Sequence, residues 1–132
     1  MSQAGQKLLL DTHTLIWFLE GDQALSGQAK ASIEGKGVTN YVSVATLWEI
    51  AIKSSLGKLT LKQDFSRLEL LVQQNGFYVL PINFEHLKKV KTLSFHHRDP
   101  FDRLIIAQSL VERLDIVTKD PAFPAYGVSI IW

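Results

Sequence analysis

Five carboxylates fall where the chain passes from strand to helix, and that shared placement marks them as candidates for chemistry. Asp11 ends the apolar run Lys7-Leu8-Leu9-Leu10, and Asp120 follows Ile116-Val117-Thr118. Glu49 lies in the first turns of the helix expected after the strand-like Val38 to Val44, and Asp99 and Asp102 open another helix at Pro100. In an open parallel sheet the C-terminal ends of strands and the N-terminal ends of helices share one edge, so all five acids are expected there. Two like charges about 4 Å apart repel by roughly 4 kcal/mol at an effective dielectric near 20. Several such groups do not stay ionised together unless protons or a cation neutralise them, and the nearby bases in the sequence are Arg98, Arg103 and Lys119. A cluster of oxygen ligands in a chain without cysteine suits a hard divalent ion, Mg²⁺ or Mn²⁺. Such an ion activates water and offsets phosphate charge, so the chemistry implied is phosphodiester hydrolysis.

Each acid also has an ordinary role when taken singly. Glu49 completes a Thr-x-x-Glu capping box with Thr46, and Asp99 caps a helix that has Pro100 at its first position. Asp102 complements the dipole of that helix, and Asp120 before Pro121 is a turn residue. Convergence is what favours a shared ion over separate caps. Thr118 alternates with Asp120, so both face one way if the strand persists; its hydroxyl then either orients Asp120 or a metal-bound water, or the residue is an ordinary β-branched strand residue. His96 and His97 are adjacent and cannot both face one site on a regular element; with His13 they are assigned to loops or caps. Trp17, Trp48 and Trp132 are expected in the core rather than as base-stacking platforms.

The elements that must position these residues follow from apolar periodicity. The run to Leu10 has no in/out alternation, as expected of a strand buried on both faces, and the segment after it is long enough for a crossover helix. Thr12 or Thr14 is expected to cap that helix through Leu19, with Gly21 and Asp22 ending it. A polar helix spans Ser26 to Glu34, and after the strand at Val38 to Val44 the next helix presents Leu47, Trp48, Ala51 and Ile52 on one apolar face. Asp64 caps a helix with Phe65, Leu68, Leu71 and Val72 inward. A strand at Phe77 to Ile82 leads to a helix capped by Asn83, with Phe84, Leu87, Val90 and Leu93 inward and Lys88, Lys89 and Lys91 on a solvated side. The helix at Pro100 runs to about Leu114, and Val128 to Trp132 is a terminal strand. Alternating strands and helices make the class α/β with a parallel sheet, in one domain over residues 1–132.

Composition narrows the setting. At 46% hydrophobic and 20% charged, the chain is globular. A net charge of +1 gives no overall field for a polyanion, so any such binding must be local. No apolar run approaches the roughly 18 residues of a membrane span, and the leader Met1 to Gln6 is polar and too short for a signal peptide. A soluble, cytoplasmic protein is the expectation.

With these residues in view, the sequence resembles the PIN-domain nucleases, and within them the VapC-like toxins of bacterial toxin–antitoxin pairs. The resemblance runs from about Lys7 to Trp132. It is carried by LLLDTHTLIWFL around Asp11, VSVATLWEIAIKSSLGKL around Glu49, HHRDPFDRLIIAQ around Asp99 and Asp102, and IVTKDPAFPAYGVSIIW around Asp120, the third being the most specific. What the resemblance implies is a three-layer α/β/α domain with a mainly parallel sheet and Mg²⁺- or Mn²⁺-dependent endoribonuclease activity. It also implies a small cognate antitoxin whose tail occupies the acidic groove, and a homodimer. Asp11, Glu49, Asp102 and Asp120 match the family's four acidic positions and are the implied catalytic and metal-holding residues. Asp99 fits a cap or a supporting place, because Asp102, one turn on, has the family's spacing to Leu104-Ile105-Ile106-Ala107; Thr118 and Arg103 are further candidates for support.

Two other readings use the same placement of acids. One is a non-catalytic interaction module that binds a basic peptide, and the other is a phosphoryl-transfer or receiver-type α/β domain. Asp11-Thr12-His13 lacks the second closely spaced acid expected of an aspartyl-phosphate phosphatase, which counts against the latter.

Overall fold

Leu8, Leu9 and Leu10 are all fully buried, as a strand covered on both faces requires. They form β1 (Lys7–Leu10) in a computed structural model that describes residues 5–132. Of the polar leader Met1 to Gln6, only Gly5 and Gln6 are among those residues. β1 is the middle of a five-stranded sheet of order β3-β2-β1-β4-β5, with β2 at Thr39–Ser43, β3 at Tyr78–Leu80, β4 at Asp115–Val117 and β5 at Ile130–Ile131. Every pairing is parallel.

The helices are α1 (Thr12–Glu20), α2 (Gly27–Ile33), α3 (Val44–Ser55), α4 (Phe65–Gln74), α5 (Phe84–Thr92) and α6 (Pro100–Glu112). Alternation along β1 divides the core between them. Leu8 and Leu10 pack with Leu15, Ile33, Val42, Val72 and Val117, whereas Leu9 packs with Ile105, Ile106, Ile116 and Phe123. The result is three layers, α/β/α. Since β2 and β4 flank β1, the chain switches sides of the sheet at β1, and a crevice is expected beyond the carboxyl ends of β1 and β4.

Several local expectations change. Asp11 itself caps α1, its Oδ1 accepting the Thr14 N–H at 2.9 Å. Thr12 and Thr14 do not cap, because their hydroxyls bond elsewhere, to Glu49 and to the Val117 carbonyl. Gly21 closes the helix at φ 65°, a left-handed conformation suited to glycine. β2 stops at Ser43, whose hydroxyl caps α3 by accepting the Ala45 N–H. Thr46 and Glu49 therefore lie inside α3 and form no capping box. The buried face of α3 is Ala45, Thr46, Glu49 and Ile50, while Trp48 is 52% exposed and Ala51 faces outward. The apolar stripe is thus rotated away from the site so that Glu49 can face it.

A similar substitution of polar for apolar contact occurs on α5. His86 is fully buried there, and Phe84 and Leu87 are exposed at 79% and 48%. Its Nδ1 accepts the Asn83 N–H, and Nε2 lies 2.8 Å from Glu112 of α6, so a hydrogen-bonded imidazole occupies the contact expected for Phe84 and Leu87. Val90 and Leu93 still pack on the core. β3 and β5 are shorter than the runs Phe77 to Ile82 and Val128 to Trp132, in keeping with edge strands.

Candidate active site

Asp11, Glu49, Asp99, Asp102 and Asp120 line one cleft at the C-terminal edge of the sheet. Asp11 reaches it because β1 ends there. It is buried, and two donors hold its carboxylate: the Thr14 N–H on Oδ1 and the Thr118 hydroxyl on Oδ2. The Thr118 Oγ1 also accepts the Asp120 N–H at 3.0 Å, so one buried hydroxyl fixes an acid of β1 and the turn after β4. Asp120 Oδ1 in turn accepts the Ala122 N–H at 2.9 Å.

Glu49 comes from the second turn of α3 and is 3% exposed. The Thr12 hydroxyl donates to its Oε1 at 2.6 Å, and Lys53, one turn on, donates to Oε2. Lys53 was not among the bases expected near the acids. The i,i+4 spacing from Glu49 was the signal for it.

Asp99 and Asp102 open α6. Asp99 is the cap, its Oδ1 accepting the N–H groups of Phe101 at 2.8 Å and Asp102 at 3.1 Å. Asp102 makes no such bond and points its Oδ2 to His97, 3.0 Å away. The same His97 Nε2 lies 3.0 Å from Asp120 Oδ2. His97 is thus a site residue where a loop or capping role was expected, while His96 stacks edge-on against Tyr126. Adjacent histidines could be separated only by the loop's geometry, which periodicity does not encode.

Arg103 does not neutralise the acids. Its guanidinium is buried among carbonyls, donating to Val90, Leu93, Ser94 and His97, and so anchors the loop that carries His97. Lys119 lines the cleft and lies 5.0 Å from the Trp17 ring, and Trp17 lines the same cleft while packing on the core.

Burial dominates the electrostatics of the site, and crowding by other acids adds to it at Asp102. Burial, followed by the carboxylates of Asp99 and Glu49, raises the Asp102 pKa to about 7 against the opposing pull of His97. Burial also pushes the Asp11 carboxyl up, partly offset by its hydrogen bonds from Thr118 and Thr14. The hydrogen bond to Glu49 holds the Lys53 ammonium above its ordinary value. Groups in this state gain from an added cation. The donors available to one are carboxylate oxygens, which match Mg²⁺ or Mn²⁺, and Asp102 and Asp120 each bring an oxygen to within 4.8 Å of the other beside the His97 ring.

The sequence profile of the PIN domain matches residues 8–128. The chain belongs to the PIN domain family. The five acids of this chain come from four separated segments, which is why the cleft is visible only once the sheet is assembled. No curated protein matches the chain by sequence. Among solved structures, the chain resembles one in VapBC2 from Rickettsia felis bound to a DNA fragment from its promoter, with a TM-score of 0.71 and 14% identity over 95% of this chain and 97% of that one. A chain of VapBC-1 from nontypeable Haemophilus influenzae aligns with a TM-score of 0.69 and 17% identity over 95% and 96% of the two. FitAcB from Neisseria gonorrhoeae aligns with a TM-score of 0.60 and 19% identity over 93% and 95%. At these identities the likeness establishes a common fold.

Proposed function

We propose that this PIN domain is a divalent-metal-dependent endoribonuclease and the toxin of a toxin–antitoxin pair. The observation that carries the reading is the convergence of five carboxylates on one cleft, with Asp102 raised to about 7 by burial and by its acidic neighbours. Asp11, Glu49, Asp102 and Asp120 would hold Mg²⁺ or Mn²⁺. When bound, the ion supplies positive charge against the phosphodiester and lowers the pKa of the attacking water.

The chain's own residues supply orientation. Thr118 and the Thr14 N–H fix Asp11, Thr12 and Lys53 fix Glu49, and the Asp99 cap fixes the first turn of α6 from which Asp102 projects. Lys119 at the cleft adds positive charge where the RNA backbone would run. Attack of water on phosphorus with departure of the 3′ oxygen, which takes up a proton, leaves 5′-phosphate and 3′-hydroxyl ends.

The partner reading rests on the resemblance of the sequence to the VapC-like toxins of toxin–antitoxin pairs, and an acidic cleft favours a basic tail that replaces the metal's charge. Among the described residues no helix is long and apolar enough to cross a membrane. A cytoplasmic homodimer that pairs with a small antitoxin is the expected form. Expression of wild-type and Asp11→Asn protein in cells, with RNA ends mapped across the transcriptome, tests activity and target together. New 5′-phosphate ends with the wild type alone support the reading; identical end maps defeat it.

A further inference from the structure

His97 brings one ring nitrogen to two carboxylates from different elements. Its Nε2 hydrogen-bonds Oδ2 of Asp120, after β4, at 3.0 Å, and also lies 3.0 Å from Oδ2 of Asp102, at the start of α6, a charge contact without hydrogen-bond geometry. A cation ligand and a hydrogen-bond donor would both fit that position. The other ring nitrogen decides between them.

Nδ1 accepts the backbone N–H of Asp99 at 3.2 Å. In the neutral ring the proton therefore belongs to Nε2, which can donate a hydrogen bond but has no lone pair for a metal. The surrounding bonds keep the ring in this orientation. His97 N–H donates to the Tyr126 hydroxyl oxygen at 2.8 Å, and the Tyr126 hydroxyl donates to the Ser94 carbonyl at 2.7 Å. Arg103 donates to the carbonyls of Ser94 and His97, tying the loop to α6, and the edge of the ring meets Phe123. Loop and ring are thus held by groups whose own partners are satisfied.

We propose that His97 is a positioning residue that holds Asp120, through its Nε2–H, beside Asp102 and remains outside the coordination sphere of the ion those acids hold. This rests on the metallonuclease reading above. Without the donor, two mutually repelling carboxylates on separate elements are free to part, and the site loses its preset spacing. Supporting groups of this kind typically govern about 10–100-fold in metal affinity.

The experiment has a metal-free arm and a metal-bound arm. In the first, ¹⁵N NMR of the histidine rings at alkaline pH in EDTA should show His97 as the Nε2–H tautomer; an Nδ1–H tautomer would overturn that hold whatever the metal does. In the second, Mn²⁺ titration followed by electron paramagnetic resonance should show about 10–100-fold weaker binding by His97→Ala. His97→Gln, whose amide N–H can occupy the donor's place, should recover most of that loss. Pulsed resonance of the bound Mn²⁺ should show no imidazole nitrogen coupling that disappears with the Gln variant. A coupling lost in both variants makes His97 a ligand, and an Ala variant that binds as tightly as wild type makes the contact idle; either refutes the proposal. A wild type that binds no Mn²⁺ defeats the metal reading and the coordination claim with it, whereas the tautomer still decides whether His97 is a donor.

Discussion

The Thr118 hydroxyl donates to Asp11 Oδ2 at 2.5 Å across 107 positions of sequence, joining the ends of two neighbouring strands beneath the cleft. Thr118 is fully buried, and its oxygen also accepts the Asp120 N–H. Thr118→Val keeps the shape but removes both bonds, leaving a carboxylate oxygen and an amide without that partner. The cost should be ~1–3 kcal/mol of folding stability, whereas Thr118→Ser should retain most of it. Urea unfolding of the three proteins checks this, and a valine variant as stable as wild type would show that the hydroxyl is dispensable.

The pH dependence of stability follows from Asp102. Its carboxyl ionises at about 7 in the fold against an ordinary value of 3.8. Between those values the unfolded chain has released a proton that the folded chain keeps, so without metal this group's contribution falls as pH rises from about 4 through about 7. Asp11, also raised, acts in the same direction. In EDTA the wild type should lose stability relative to Asp102→Asn between pH 5 and pH 8. Parallel curves for the two proteins would remove the electrostatic strain from the account.

Asp99 and Asp102, one turn apart, should separate a cap from a metal-binding acid. Asp99 accepts two backbone N–H groups, so Asp99→Ala should cost about 1 kcal/mol with or without divalent ion. Asp102→Asn should not be destabilised in EDTA. Mn²⁺ should stabilise the wild type by about 2.7 kcal/mol at a hundredfold excess over Kd, and Asp102→Asn and Asp11→Asn much less. Melting curves in both buffers give the comparison; equal metal response in all four proteins would disperse the proposed ligands.

A small protein with a basic tail should co-purify with this chain from its native host. Its tail should place an arginine or lysine in the cleft, and Asp11→Asn with Asp102→Asn should weaken the complex. Mass spectrometry of the purified material, followed by binding measurements on the variants, is the check. Partner-free protein from every preparation would count against a toxin–antitoxin pair.

The sheet was readable because Leu8 to Leu10 have no polar alternation, and the acids were readable because each follows a strand or opens a helix. Helix faces were less legible wherever a polar side chain replaced an apolar contact. Glu49 turns α3 toward the cleft and leaves Trp48 outside, where it meets Phe101 edge-on, and His86 takes the interior position on α5. Hydrophobic periodicity cannot register such exchanges, because burial there depends on partners distant in sequence. The same limit hid His97, whose role depends on a loop held by Arg103 and Tyr126.

The proposed activity of this PIN domain is cleavage of RNA in the acidic cleft with a divalent ion. Purified wild-type protein should be incubated with a total-transcript pool in Mg²⁺, in Mn²⁺ and in EDTA, beside an Asp11→Asn preparation that controls for contaminating nuclease. Cleavage to 5′-phosphate and 3′-hydroxyl ends is expected in either metal, none in EDTA and little with Asp11→Asn. Cutting that continues unchanged in EDTA, or the absence of any cut RNA in either metal, would contradict it.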